Sequence, residues 1–146
     1  MKTENQILKP TAGDAGDHWA ERQDWLGRFP FPPGEKKCKI IRSADKLTFL
    51  QGEKIKCVVD LFVSSDVIHF GIFYVPPFDA IEASAPHPGD ECYYVLAGEG
   101  SVLISDTDTY KVSKGDAFYL PAGLKHQWRN FGATKLDVLW AIAPRP

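Results

Sequence analysis

Two histidines and one glutamate stand in short, glycine-containing stretches of the second half of the chain. His87 and Glu91 flank a Pro-Gly turn, and His126 comes just after a Pro-x-Gly turn. If the two stretches pair as strands, the three side chains converge on one point inside a barrel. Two histidines and one carboxylate on one side of a metal, with open positions opposite, form the donor set of many non-haem iron sites. The residue types and their spacing therefore predict a metal site.

The donor set restricts the metal to a few ions and says little about the reaction. Iron(II), manganese(II), nickel(II) and zinc(II) all bind imidazole and carboxylate donors, and the sequence does not choose among them. Such a metal polarises a carbonyl or hydroxyl group of a substrate, or lowers the pKa of a water molecule. The sequence assigns no catalytic base.

Strand alternation predicts which neighbours of the three donors face the same pocket. In a strand, every second side chain lies on the same face. Tyr93 therefore shares the face of Glu91, and Trp128 and Asn130 share the face of His126. We expect Tyr93, Trp128 and Asn130 to line an aromatic, partly polar pocket, which is the usual character of a small-molecule site.

The second stretch resembles the second motif of the cupin family. It has the five defined residues of that motif at the same spacing: Gly115, Pro121, Gly123, His126 and Asn130. The alternative is that the glycines and the proline serve only the tight turns, which need positive or fixed φ angles.

The first stretch resembles the first cupin motif in three residues, His87, Glu91 and Gly98. The family pattern has a further histidine two residues before His87, and this chain has Ala85 there. The resemblance, which covers about residues 70–143, implies that His87, Glu91 and His126 are metal ligands. Two residues elsewhere, Glu82 and His69, are poor candidates to replace the histidine that is absent at position 85 as a metal ligand.

The pattern of residues after position 38 is typical of an all-β protein. Short runs rich in β-branched and aromatic residues are separated by Gly, Pro and Asp, which indicates a sandwich or a barrel. Predicted strands include residues 38–42, 47–50, 55–63 and 67–75. The resemblance implies a jelly-roll barrel, also called a double-stranded β-helix, over residues 38–146.

Residues 1–37 are interpreted as an amino-terminal arm. Asp17 is a candidate cap for a short helix that begins at His18. The aromatic segment from Trp19 to Phe31 is expected to pack as a strap across the barrel or against a second copy.

Composition argues against several classes of partner. The chain has 146 residues, a length that suits one domain, and its net charge is −2 without a long basic run, so nucleic-acid binding has no electrostatic support. No apolar segment approaches membrane-spanning length, and the amino terminus lacks the apolar core of a signal peptide. The three cysteines are widely spaced and odd in number. These features predict free thiols and a cytoplasmic location.

Two functions from different classes remain open at this stage. The first is a metal-dependent enzyme acting on a small molecule, with the isomerase, dioxygenase or lyase chemistry found among cupins. The alternative is a non-catalytic barrel that binds or senses a sugar-like molecule, without metal, in which the two histidines are hydrogen-bonded pocket residues. The resemblance to small cupins also implies a homodimer, for which the strap at residues 19–31 or the strand at residues 47–50 is the candidate interface.

Overall fold

The computed structural model describes residues 7–8, 26–52 and 54–144. Within these ranges every regular element is a β-strand. The strands are β1 (Ile7–Leu8), β2 (Leu47–Gln51), β3 (Cys57–Ser64), β4 (His69–Val75), β5 (Asp79–Ala80), β6 (Asp90–Ala97), β7 (Glu99–Ile104), β8 (Asp108–Ser113), β9 (Ala117–Leu120), β10 (His126–Asn130) and β11 (Leu136–Ala143). The described part of the chain contains no helix long and apolar enough to cross a membrane.

The strands form two sheets that face each other across one core. The larger sheet has the order β1-β2-β3-β4-β11-β6-β9, and the smaller has the order β5-β10-β7-β8. Neighbouring strands are antiparallel, except that β1 runs parallel to β2. From β4 to β11 the chain passes repeatedly from one sheet to the other, as a double-stranded β-helix does. The predicted all-β architecture is therefore confirmed.

Alternation along the strands separates the core from the outer faces. In β6 every second residue is buried, namely Glu91, Tyr93 and Val95, whereas the residues next to them are exposed. The same period of two governs β4, β10 and β11. The inward side chains of both sheets pack together into one apolar cluster that includes Phe49, Val59, Leu61, Phe73, Val75, Tyr93, Val95, Val102, Leu120, Trp128, Leu136, Val138, Trp140 and Ile142.

Some strand predictions are confirmed and one is wrong. The strands predicted at residues 47–50, 55–63 and 67–75 correspond to β2, β3 and β4. Residues 38–42 form no strand, and Ile40 is 69% exposed. Their alternation is suitable for a strand, but no described strand pairs with them, and a strand without a partner leaves its backbone groups without ladder hydrogen bonds.

The described part of the amino-terminal strap, residues 26–31, is attached to the end of β3. Phe29 forms an antiparallel bridge with Ser64, and the amide of Gly27 donates a 2.7 Å hydrogen bond to Ser64 Oγ. Ser64 Oγ in turn lies 2.8 Å from Nδ1 of His69, which is 2% exposed. The helix predicted from His18 lies largely outside the described residues, and residues 26–28 form a turn. The division of the chain at residues 37 and 38 stays a prediction.

A row of paired residues crosses the larger sheet from Ser64 to Glu91. Ser64 pairs with His69 across β3 and β4, His69 pairs with Ile142 across β4 and β11, and Ile142 pairs with Glu91 across β11 and β6. The strap is therefore held at the same end of the sheet as Glu91.

Candidate metal centre

Glu91 reaches the interior because of its place on β6. Its side chain points between the sheets together with Tyr93, and only 8% of Glu91 and 4% of Tyr93 is exposed. The adjacent Cys92 and Tyr94 point to the outer face and are exposed, as alternation predicts. Cys92 is thus kept out of the site.

His87 is brought to Glu91 by the segment that follows β5. This segment runs antiparallel along β10, with the amide of Ile81 bonded to the carbonyl of Trp128 and the amide of Ser84 bonded to the carbonyl of His126. Residues 79–84 are thus aligned with the strand that carries His126. His87 follows three residues after Ser84, in the loop that leads to β6.

Hydrogen bonds connect the turn before His126 to the turn between His87 and Glu91. The amide of Gly123 donates to the carbonyl oxygen of His87 at 2.9 Å. Asp90 accepts hydrogen bonds from the amide of Ala122 at 2.8 Å and from the hydroxyl of Tyr119 at 2.9 Å. Gly123 has a φ of 85°, a left-handed conformation that glycine adopts without strain. The hydrogen bonds to Asp90 lower the pKa of its carboxyl group, and the bond from the Ala122 amide has the larger effect.

The three predicted donors come together in the described structure. Nε2 of His87 lies 3.6 Å from Oε1 of Glu91, and Nε2 of His126 lies 3.3 Å from Oε2 of Glu91. The two imidazole rings are perpendicular, with centroids 5.4 Å apart. One ligand atom of each residue lies within 4.8 Å of those of the other two.

The orientation of His126 leaves a nitrogen lone pair for the site. Nδ1 lies 3.1 Å from the carbonyl oxygen of Leu124, which can only accept, so Nδ1 carries the proton. The Nε2 lone pair then faces Glu91 and the hydroxyl of Tyr93. Burial lowers the pKa of His126, although the Glu91 carboxylate opposes that effect. His126 is therefore neutral at pH 7, which is the form that binds a metal.

The donor set fits a divalent cation. Oε2 of Glu91 is buried and makes no hydrogen bond in the described part of the chain, and Nε2 of His126 lies 3.3 Å from it. Two acceptors at this separation repel unless a cation or a proton lies between them. Ligand atoms around one metal with bonds of about 2.1 Å are roughly 3.0–3.4 Å apart, which is close to this spacing.

Aromatic rings form one wall beside the donors. The ring of Tyr93 packs against Trp128 with a centroid distance of 4.9 Å, and Phe73 and Phe118 surround both rings. The structure thus places Tyr93 beside His126 and Trp128 against Tyr93, on the face that alternation predicts. This wall is apolar except for the hydroxyl of Tyr93 and the indole nitrogen of Trp128.

The prediction that Asn130 lines the pocket needs correction. Asn130 is fully buried, and its amide nitrogen donates to the carbonyl oxygens of Val75 and Thr134 while its oxygen accepts from the amide of Gly132. All of its hydrogen bonds are to backbone groups. It shares a face with His126, but its side chain connects the loop after β10 to β4.

The candidate replacement donors stay apart from the three ligands. The described cluster of possible metal-binding residues contains neither Glu82 nor His69. Glu82 lines a small cavity with Gly52 and Cys57, and His69 is separated from Glu91 by the intervening strand β11. Ala85 is exposed and has no donor atom.

Asp90 is a residue that sequence reasoning missed. Its partner Ala122 is 32 positions away, so no local pattern reveals the contact. The only available signal was its position directly before Glu91, at the start of a strand.

Comparisons with known proteins match the part of the chain that carries these residues. The family model described as "Cupin domain" matches residues 71–142. The uncharacterised protein MJ1618 of Methanocaldococcus jannaschii is 33% identical over 58 residues, which are 40% of this chain and 46% of that protein. The uncharacterised protein SCO3923 of Streptomyces coelicolor is 30% identical over 63 residues, which are 43% of this chain and 58% of that protein. The matches thus span about half of each relative.

Solved structures share the fold at low sequence identity. A predicted oxalate decarboxylase from Thermotoga maritima has a TM-score of 0.63 and 21% identity, with 73% of this chain and 99% of that chain covered. The polyketide cyclase RemF from Streptomyces resistomycificus has a TM-score of 0.61 and 18% identity, with 75% and 82% covered. These similarities establish the double-stranded β-helix.

Proposed function

Residues 71–142 of this chain form a domain of the cupin superfamily, and from this premise we propose that the protein binds a divalent transition metal and acts on a small molecule. His87, Glu91 and His126 are the proposed ligands. The observation that carries the proposal is their convergence, with donor atoms within 4.8 Å of one another at the end of a largely apolar core.

The donor types limit the metal to iron, manganese, nickel or zinc. When bound, such an ion supplies a Lewis acid that polarises an oxygen of the substrate. Glu91 contributes a negative charge, and its partial burial strengthens the attraction for a cation. Leu124 keeps His126 in the tautomer that directs Nε2 to the site.

The pocket residues are proposed to position the small molecule. Tyr93 and Trp128 present ring surfaces for apolar groups and keep water from one side of the donors. Nε1 of Trp128 is buried without a hydrogen-bond partner among the described residues, so it is a donor available to a substrate oxygen. The reaction class stays open among the isomerase, dioxygenase and lyase chemistries that the cupin resemblance implies.

Metal analysis of the purified protein tests this proposal. We expect about one equivalent of a transition metal in the wild-type protein, or uptake of added zinc or iron by metal-free protein. His126→Ala should lose that metal. Lys125→Ala is the matched control, because Lys125 is exposed and pairs with Asp106 on the surface.

A wild-type protein that contains no transition metal and takes up none would contradict the proposal. The non-catalytic barrel that binds a sugar-like molecule would then be the better interpretation. Unchanged metal content in His126→Ala would remove that residue from the ligand set.

We also propose that the protein is a homodimer in the cytoplasm. The outer face of the larger sheet exposes apolar or aromatic side chains on adjacent or nearby strands, including Val58, Tyr94, Leu96 and Tyr119. A second copy is a suitable cover for this face. A monomeric mass by light scattering would contradict the dimer, and the cytoplasmic location stays a prediction.

A further inference from the structure

We propose that the hydroxyl of Tyr93 is a fourth protein ligand at the metal centre. This inference rests on the proposed metal site. It adds a donor to a chain that has Ala85 where the cupin pattern has a further histidine. Tyrosine oxygen is a donor that a metal binds as phenolate, so the residue type is suitable.

The distances around His126 place the hydroxyl among the ligands. Oη of Tyr93 lies 3.2 Å from Nε2 of His126, and Oε2 of Glu91 lies 3.3 Å from the same nitrogen. Two ligands that share a metal with bonds of about 2.1 Å are separated by roughly 3.0–3.4 Å. Tyr93 therefore stands in the same distance relationship to His126 as the proposed ligand Glu91 does.

A metal at Nε2 of His126 would take the lone pair that accepts the hydrogen bond of the Tyr93 hydroxyl. Neutral His126 has one nitrogen lone pair, and Nε2 presents it to the Tyr93 hydroxyl. Once His126 gives this lone pair to a metal, the hydroxyl has no acceptor among its described hydrogen bonds. A buried hydroxyl without a partner is unfavourable, and coordination gives it a new one.

The ring of Tyr93 is held in place by its neighbours. It packs against Trp128 at 4.9 Å, Phe73 at 6.2 Å and Phe118 at 6.4 Å between centroids. The residue is 4% exposed and sits two positions after Glu91 on β6. Its hydroxyl is thus directed at the donors by the packed core, which favours a ligand role over a mobile surface one.

Coordination is a simple exchange at the oxygen. The O–H bond of the phenol breaks, an O–metal bond forms, and the proton passes to bulk water. Nothing is oxidised or reduced in this step, and no other reactant is required.

Iron(III) is the probe that distinguishes this arrangement, because a phenolate bound to iron(III) absorbs visible light by charge transfer. Metal-free wild-type protein loaded with iron(III) should become coloured. Tyr93→Phe should bind iron(III) without showing the visible band. In competition with a chelator, it should bind zinc about tenfold or more weakly than the wild-type protein does. Tyr94→Phe is the matched control, since Tyr94 is the next residue and faces outward.

The controls separate failure of this inference from failure of the metal site. If wild-type protein binds iron(III) through His126 but shows no visible band, or if Tyr93→Phe keeps the band, Tyr93 is not a ligand although the metal site stands. If wild-type protein binds neither iron nor zinc, both the metal site and the tyrosine ligand are wrong. A band lost in Tyr93→Phe and retained in Tyr94→Phe establishes the ligand.

Discussion

The amide nitrogen of Gly123 lies 2.9 Å from the carbonyl oxygen of His87 and donates a hydrogen bond to it. This bond joins the two turns that carry the proposed ligands, although the two residues are far apart in the sequence. The spacing of His87 and His126 is thus set by backbone contacts that do not involve a ligand atom. The site is expected to keep much of its geometry before a metal binds.

Loss of the Asp90 carboxylate should weaken metal binding without removing a ligand. In Asp90→Ala the amide of Ala122 and the hydroxyl of Tyr119 lose their acceptor, so the turn before His126 keeps the Gly123 hydrogen bond but loses its connection to Asp90. We expect the dissociation constant for zinc to rise by about tenfold, as for other groups that orient metal ligands.

The control for Asp90→Ala is Asp108→Ala, which removes an exposed carboxylate at the start of β8. Both dissociation constants are measured by competition with a chromophoric chelator. Equal zinc affinity in the Asp90 variant and the control would show that the hydrogen bonds of Asp90 do not position His126.

Replacement of Asn130 should destabilise the fold more than it changes the metal site. Asn130→Ala leaves the carbonyl oxygens of Val75 and Thr134 and the amide of Gly132 without their described partner. Unpaired buried groups of this kind cost on the order of 2–4 kcal/mol in the free energy of unfolding. Urea unfolding followed by tryptophan fluorescence measures the loss.

Asn130→Asp sharpens the same test. The carboxylate still accepts from Gly132, but it faces two carbonyl oxygens to which it cannot donate. We expect it to unfold at a urea concentration no higher than that of Asn130→Ala. A wild-type urea midpoint for either variant would show that these hydrogen bonds of Asn130 do not stabilise the fold.

Stability should fall with acidification because of His69. Burial lowers the pKa of His69 from 6.5 to about 4. Between these two pH values, His69 is therefore protonated in the unfolded state and neutral in the folded state. The contribution of this group is complete above pH 6.5 and is lost as the pH falls towards about 4. The expected loss is at most about 3 kcal/mol.

His69→Asn isolates this effect. Asparagine can place its side-chain oxygen near the position of Nδ1 and accept from Ser64, and it does not titrate. The difference in unfolding free energy between the two proteins should therefore narrow from pH 7 to pH 4. A constant difference over that range would show that His69 is protonated as readily in the folded state as in the unfolded state.

Metal should stabilise the wild-type protein through mass action. Zinc at about 100 times its dissociation constant should raise the free energy of unfolding by about 2.7 kcal/mol, provided that the unfolded chain does not bind it. Removal by a chelator should reverse the gain. His126→Ala should show no zinc-dependent change in its melting temperature, and an equal gain in that variant would place the bound ion elsewhere.

The sequence predicted the donors and the faces of their strands because both depend on short-range rules. The period of two on β6 placed Glu91 and Tyr93 inside and Cys92 outside. The turn residues of the two motifs indicated where the chain reverses. His87, Glu91 and His126 converge because β6 and β10, which carry Glu91 and His126, lie on the two facing sheets.

Features that depend on distant contacts were not predictable in this way. The two-residue strand β5 has no period and forms because it pairs with β10. Asn130 alternates with His126 as a pocket residue would, and only the position of the loop after β10 shows that its amide bonds to backbone groups. Residues 38–42 have a suitable pattern but lack a neighbouring strand.

The attachment of the strap at Ser64 has a consequence for how this protein can diversify. Ser64 and His69 share a row with Glu91, and His69 lies two strands away from it, a distance of about 10 Å. Gly27 and Phe29 contact Ser64, which is one strand further from Glu91 than His69 is. Over evolutionary time, this segment can therefore change while the inner donor atoms stay the same.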